Sequence, residues 1–276
     1  MTIGIVGLGL IGGSLAKAFK EAGHTVYAYN RTKTVEEVAI AAGVIDAPLD
    51  RENIGKCEFI HLSLYPDASI SWLGENVPYI DKKTIVIDEC GTKRKICAAC
   101  FELADKYGFT FVGGHPMAGT HFSGFRYSRA TMFQNATMIL VPKDQHDFLL
   151  IERITESLKP LGLKRIVTTD PENHDRMIAY TSQLAHVVSS AYIKSPSAQQ
   201  HKGYSAGSFR DLTRVAWLNE KMWTELFIEN GDFLSAEIDL IIANLKEYSD
   251  AIKTSDEKKL EALLYEGRVA KEKSES

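Results

Sequence analysis

The chain has 276 residues, 45% of them apolar and 25% charged, with a formal net charge of −4, enough to bury the core of one large or two medium domains. This balance, with no basic stripe interleaved with aromatics, excludes a nucleic-acid footprint. No apolar run approaches membrane-spanning length and the N-terminus reads as a core strand instead of a signal peptide, so a cytoplasmic protein with no membrane partner is expected.

Ile3 to Val6 forms a short apolar run that leads into Gly7-Leu8-Gly9-Leu10-Ile11-Gly12-Gly13-Ser14. This is the glycine pattern of a dinucleotide fold: the first glycine allows a tight turn, the second lets backbone approach a pyrophosphate, and the third lets the next helix pack on the strand. Leu15, Ala16, Ala18 and Phe19 continue as a helix whose N-terminus favours anions, Gly23 closes it, and Thr25 to Tyr29 reads as the second strand. Gly7, Leu8, Gly9, Leu10, Ile11 and Gly12 are therefore expected to bind a cofactor.

An acid that accepts the adenosine ribose hydroxyls normally ends that second strand. Here Asn30-Arg31-Thr32-Lys33 stands instead. A neutral amide followed by a guanidinium and a hydroxyl suits a 2′-phosphate, so Asn30, Arg31 and Thr32 predict NADP over NAD, with NAD as the alternative.

Further strands are expected at Phe59 to Leu64, Thr84 to Ile87, Phe109 to Val112, Thr137 to Val141 and Arg165 to Thr168, separated by helical patterns that include Arg94 to Tyr107. Alternating βα units imply a mostly parallel sheet with helices on both faces and ligands at the carboxyl ends of its strands. Gly7, Asn30, Ser63, Asp88 and His115 would share that edge, which adds Ser63 to the cofactor residues. Cys57, Cys90, Cys97 and Cys100 lack a complete metal-ligand spacing and read as reduced, packed thiols; no metal is expected.

After Phe109 to Val112, Gly113-Gly114 is expected to break the strand, and Pro116 restricts His115 toward extended backbone. That places the imidazole on a stiff turn, the way a general base is mounted.

Beyond Asp170-Pro171 the pattern turns helical, with helices predicted at Glu172 to Ile193, Ala216 to Asn230, Asp232 to Ile252 and Ser255 to Lys271, the last opened by a Thr254–Glu257 capping box. Leu234, Ile238, Ile241, Ile242 and Leu245 form a wide apolar stripe of the kind that is buried in a core or in a homodimer. His174 and His186 lie twelve residues apart, about 120° around a regular helix and ~18 Å along it, too far to chelate one metal; His174 is placed near the domain junction in a hydrogen-bonding role. The expected architecture is an α/β Rossmann-type dinucleotide-binding domain over residues 1–169, followed by an all-α dimerisation domain over 170–276.

Four clusters now stand in order: the glycine fingerprint; Gly114-His115-Pro116-Met117-Ala118-Gly119; Asn173-His174-Asp175 with Ser182-Gln183-Leu184-Ala185-His186; and Gly207-Ser208-Phe209-Arg210-Asp211-Leu212-Thr213-Arg214, with Met222-Trp223 and Glu229-Asn230 after it. Across nearly its whole length the chain resembles the prephenate and arogenate dehydrogenase family of tyrosine biosynthesis. The resemblance implies oxidative decarboxylation of prephenate or arogenate, with His115 as catalytic histidine, Thr120 and His186 as substrate contacts and Arg214 as the arginine that binds a substrate carboxylate. It also implies a homodimer formed through the C-terminal helices.

Departures from the family pattern are visible. In Asp88-Glu89-Cys90-Gly91-Thr92-Lys93, Gly91 occupies the place of a serine that in many family members hydrogen-bonds the catalytic histidine or the substrate hydroxyl, so Thr92 or a water is expected to supply that hydroxyl. Ala185 replaces the usual proline before the second histidine. With no regulatory or mutase segment in the sequence, feedback by tyrosine is expected to act at the active site itself. The rival readings are a β-hydroxyacid-type dehydrogenase, which would need a lysine where this helix has histidines, and a non-catalytic dinucleotide-sensing protein, for which Gly91 is the best support.

Overall fold

The computed structural model describes residues 1–120 and 122–275. Its first half follows the βα rhythm: β1 (Thr2–Val6), α1 (Leu10–Glu21), β2 (Thr25–Tyr29), α2 (Lys33–Ala41), β3 (Ala47–Pro48), β4 (Phe59–Leu62), α3 (Pro66–Asn76), β5 (Ile85–Asp88), α4 (Arg94–Tyr107), β6 (Thr110–Pro116), β7 (Thr137–Pro142), α5 (Phe148–Ser157) and β8 (Arg165–Thr168). One eight-stranded sheet results, in the order β3-β2-β1-β4-β5-β6-β7-β8. All neighbours are parallel except β6 and β7, which a loop without a crossover helix joins as an antiparallel pair. The switch point between β1 and β4 opens a crevice at the strand ends.

Helices on both faces explain why β1, β4 and β5 are near-continuous apolar runs. Leu15, Phe19, Ala39 and Ile154 from α1, α2 and α5 pack on one face, and Leu73, Ile96, Cys97 and Cys100 from α3 and α4 on the other. Each fully buried side chain such as Phe19 contributes about 1.5–3 kcal/mol of hydrophobic stabilisation. All four cysteines are free and buried, and burial pushes the Cys57 and Cys100 thiols up to about 12. At the end of α1 the Gly23 amide donates to the Lys20 carbonyl and that of His24 to Phe19, with Gly23 at φ +82°.

Two local expectations are corrected. Gly113 and Gly114 do not end the strand: β6 runs through them to Pro116, and His115 pairs with Ile139 of β7. They are close-approach positions, since a Cβ at Gly113 would meet Cys97 Sγ at 2.7 Å and one at Gly114 the Asp88 carbonyl at 2.4 Å. His115 is therefore fixed by a sheet ladder, not by a turn.

From Pro171 the chain is helical: α6 (Pro171–Ile178), α7 (Ala185–Ile193), α8 (Gly207–Thr213), α9 (Glu220–Glu229), α10 (Gly231–Lys253) and α11 (Glu257–Glu275). Between α6 and α7, Ala179–Leu184 forms a π-helical turn that widens an otherwise continuous rod. The rotation expected between His174 and His186 for a regular α-helix consequently does not apply. The capping box at Thr254 is also absent, because Ser255 adopts φ +53° and Thr254 Oγ1 donates back to the Asp250 carbonyl. Asp256 accepts from the Lys259 amide at 3.0 Å and caps α11 instead. Of the apolar stripe on α10, Leu234 is buried, Ile238 and Ile241 are half-buried, and Ile242 and Leu245 are exposed, with Leu240 exposed beside them. No helix among the described residues is long and apolar enough to cross a membrane.

Candidate active site

At the carboxyl edge of β1 the glycines have separate tasks. Gly7 sits at φ +98°, and a Cβ there would meet the Ser63 carbonyl at 2.7 Å; one at Gly12 would fall 1.9 Å from the Gly7 carbonyl. Gly9, the N-cap of α1, has nothing within 4 Å of its Cβ position and supplies no side-chain cap. A cradle is left there, with the first amides of α1 open to an anion. A pyrophosphate therefore fits this loop. Ser63 crosses it from the end of β4, its Oγ buried and without a partner among the described residues.

At the end of β2, Asn30 Oδ1 accepts from the Leu8 amide at 3.0 Å and its Nδ2 donates to the Thr32 carbonyl at 3.0 Å, while Arg31 and Thr32 are exposed. A carboxylate does stand nearby. Buried Glu36 accepts from the Asn30 amide at 2.5 Å and pairs with Lys33 at 3.0 Å. Nothing in the sequence marks it, because it lies six residues beyond the usual position and arrives through the first turns of α2.

His115 stands at the far side of the crevice, partly buried at the end of β6, and its Nδ1 lies 3.0 Å from His174 Nε2 on α6. His174 Nδ1 in turn lies 2.7 Å from Asp175 Oδ1. Asp175 also accepts the amides of Lys93 at 2.7 Å and Arg94 at 2.9 Å, capping the N-terminus of α4 from the helical domain. Burial works against an ionised Asp175, but these bonds from His174 and the two amides outweigh it and lower its pKa. An ionised acceptor obliges His174 to donate through Nδ1, leaving its Nε2 to accept from His115 Nδ1–H. The free lone pair of His115 is then on Nε2. Burial first, then the proximity of His174 and of the Lys93 cation, pushes the His115 pKa well below 6.5, so a neutral base is present at ordinary pH.

Lys93 is itself buried and ion-paired with Asp88, which keeps it charged although burial alone would lower its pKa. Asp88 Oδ1 accepts the Gly114 amide at 3.2 Å, tying this pair to the backbone that carries His115.

Thr92 does not supply the hydroxyl missing at Gly91: its Oγ1 donates to Glu229 at 2.7 Å. A Cβ at Gly91 would lie 3.2 Å from Leu226, so α9 has closed on the space of the absent side chain. On the same helix, Trp223 packs on the His186 ring with centroids 4.0 Å apart. His186 Nδ1 is 2.8 Å from the Ser182 carbonyl, which leaves Nε2 as the acceptor. Burial, with the charge of nearby Arg214 as a further cause, lowers the His186 pKa. Arg214 is exposed just beyond α8, and Thr120 is exposed with its Oγ1 accepting from the Phe122 amide at 3.3 Å. The structure thus joins His115 to His174 and His186 to Trp223 and Arg214, and turns the Thr120 hydroxyl to its own loop. Asp67, Glu225 and Glu229 cluster with metal-like spacing, but Lys95 pairs with both Asp67 and Glu229 and already supplies the cation.

Comparison with known proteins gives concordant matches. The profile of the prephenate dehydrogenase nucleotide-binding domain matches residues 15–167, and that of the prephenate dehydrogenase dimerization domain matches residues 170–266. The cyclohexadienyl dehydrogenase of Zymomonas mobilis is 31% identical over 264 residues, covering 92% of this chain and 89% of that protein. Among solved structures, Synechocystis arogenate dehydrogenase is 28% identical with a TM-score of 0.81, covering 99% of this chain and 100% of that one. The prephenate dehydrogenase of A. aeolicus in complex with hydroxyphenyl propionate and NAD+ is 26% identical with a TM-score of 0.83, covering 99% of this chain and 98% of that one.

Proposed function

The chain belongs to the prephenate dehydrogenase family, and on that premise we propose that it catalyses the oxidative decarboxylation of prephenate or arogenate with a pyridine nucleotide, NADP in preference to NAD. The observation that carries the reading is the Asp175–His174–His115 string, which leaves a neutral imidazole with a free lone pair on Nε2 at the end of β6. A bound nicotinamide supplies the hydride acceptor.

Prephenate and arogenate are cyclohexadienols. As the hydride leaves the carbinol carbon, His115 Nε2 takes the hydroxyl proton, and the carbonyl that forms opens the ring to loss of carbon dioxide and aromatisation. Arg214 grips a substrate carboxylate, and His186, its ring held by Trp223, presents Nε2 as a further substrate contact beside Thr120. Holding the ring in place is these residues' share of the work.

Gly7, Leu8, Gly9, Leu10, Ile11 and Gly12 hold the pyrophosphate, Ser63 flanks it, and Asn30, Arg31 and Thr32 face the adenosine ribose. Lys33 offsets the charge of Glu36, so the exposed Arg31 is left to a 2′-phosphate. Residues 1–169 form the cofactor domain and 170–276 the helical one, whose exposed Leu240, Ile242 and Leu245 fit a homodimer.

The test is turnover of prephenate and of arogenate, each with NAD and with NADP, following nucleotide reduction and carbon dioxide release together. The reading expects both signals in equal amounts with at least one substrate and higher efficiency with NADP. No turnover with either substrate would leave a nucleotide-binding protein without this chemistry.

A further inference from the structure

Four consecutive residues at the start of α4 each bond to the helical domain. Thr92 donates to Glu229, the Lys93 amide to Asp175, Arg94 to Asp175, Asn230 and Asp232, and Lys95 to Glu229. Arg94 reaches furthest. Its two terminal nitrogens fork onto the Asp232 carboxylate at 2.7 and 2.5 Å, one of them also reaches Asn230 Oδ1 at 3.0 Å, and Nε lies 3.4 Å from Asp175 Oδ2. Its Cζ lies over the Phe233 ring, 4.5 Å from the centroid. Asn230 closes a loop, because its Nδ2 donates to the Asp175 carbonyl at 2.8 Å. A forked guanidinium of this kind, placed over an aromatic ring, fixes orientation in a way that a lysine ammonium does not.

We infer that Arg94 is a positioning residue for the base: by clasping Asp232 and Asn230 at the start of α10 it holds Asp175 on α4, and through Asp175 and His174 it sets the orientation and proton affinity of His115. The inference rests on the reading of His115 as general base. The charged and titratable groups around the string are His115 on β6, Asp88 on β5, Lys93 and Arg94 at α4, Glu172 on α6 and Asp232 on α10. Arg94 and Asp232 are the opposed pair that reaches this string from the domain junction.

The sign of each substitution follows. Arg94→Ala removes a cation and leaves Asp232 unbalanced, so an imidazolium is favoured and the acid limb of kcat/KM moves up by about half a pH unit. Asp232→Asn leaves the guanidinium unbalanced and moves the limb down. The double variant returns it toward wild type. Arg94→Lys keeps the charge without the fork, so its limb stays near wild type while kcat falls, as it does for Arg94→Ala, by about three- to tenfold.

The experiment is a set of pH profiles of kcat and kcat/KM for wild type and these four variants, with cofactor affinity read by equilibrium binding. Affinity is expected unchanged, since the clasp lies apart from the glycine loop. Looser domain packing alone would lower kcat in every variant without opposed shifts of the limb. Superimposable limbs, or shifts of the same sign for Arg94→Ala and Asp232→Asn, overturn the inference while leaving His115 as base. Retained turnover in His115→Asn overturns both.

Discussion

The Nδ1 atom of His115 lies 3.0 Å from Nε2 of His174, and this contact joins the end of strand β6 to the first helix of the helical region. The proposed base is thus held by a residue from the other half of the chain. The pairing also has a pH consequence. An imidazole whose proton affinity is reduced by burial and by a second imidazole stays neutral below its ordinary value of 6.5. With His115 as the proposed base the neutral form is the active one, so kcat/KM is expected to hold level from neutral pH down through 6.5 and to fall only at lower pH, as His115 takes up a proton. A limb centred above 6.5 in the wild-type profile would contradict the assignment.

His115→Asn is expected to abolish turnover with cofactor affinity near that of wild type, since the ring acts only where the proton leaves. Loss of a general base costs on the order of a hundredfold to ten-thousandfold in rate. Steady-state kinetics and nucleotide binding, measured on the same preparation, check it. A variant that keeps more than a tenth of wild-type activity removes His115 from the role.

Asp175→Asn replaces a carboxylate that accepts two backbone amides and His174. One face of the new amide carries N–H groups turned toward N–H donors, so a loss of about 1 to 3 kcal/mol is expected at neutral pH. The folded pKa of Asp175 is depressed, so its contribution is fully present above the unfolded value and disappears as the pH falls through the folded one, below about 3.9. Wild-type and variant stabilities should therefore converge in that acid range. Denaturant unfolding at neutral pH and at pH about 3 tests this; a constant gap sets the charge of Asp175 aside.

How far the sequence discloses this site depends on how local each signal is. Thr25–Tyr29, Arg165–Thr168 and the Gly7–Gly12 turn are set by neighbours in sequence, and the structure has them as expected. Gly113 and Gly114 carry the same letters as a strand break, yet their cause is the nearness of Cys97 and Asp88, a tertiary fact. The adjacent pair His174-Asp175 is plain in the sequence, but its meaning comes from α6 meeting α4 and β6, contacts more than fifty residues apart along the chain. Helical spacing gave His174 and His186 a fixed rotation, and the π-turn between them removed the premise. Glu36 escaped because an acid on the first turns of a helix looks like a solvated charge until the fold buries it.

Arg214→Ala is expected mainly to raise the substrate KM. Arg214 is exposed, and among the described residues no ion pair fixes it in place, so little structure is lost with it. A missing charge-assisted hydrogen bond costs roughly 1.5 to 3 kcal/mol, about one to two decades in KM. The lowered His186 pKa owes part of its shift to Arg214, so the variant should also raise the proton affinity of His186, visible in its ring NMR titration. Unchanged KM together with an unchanged titration places the carboxylate site elsewhere.

Cofactor choice turns on two neighbouring side chains. Asn30→Asp keeps the acceptor that Leu8 uses but sets a carboxylate against the Thr32 carbonyl, which Asn30 Nδ2 now satisfies. Combined with Arg31→Ala, the change adds an anion and removes a cation where a 2′-phosphate would lie. Glu36 already stands behind Asn30, offset by Lys33, so the added charge brings the site close to that of an acid-terminated strand. Preference should move toward NAD by more than tenfold, about 1.4 kcal/mol or above. The ratio of kcat/KM with the two cofactors, before and after the double change, is the measurement. A wild-type enzyme that already prefers NAD overturns the premise: Glu36 and Asn30 would then be serving ribose hydroxyls, with Arg31 turned to solvent or stacked on the adenine.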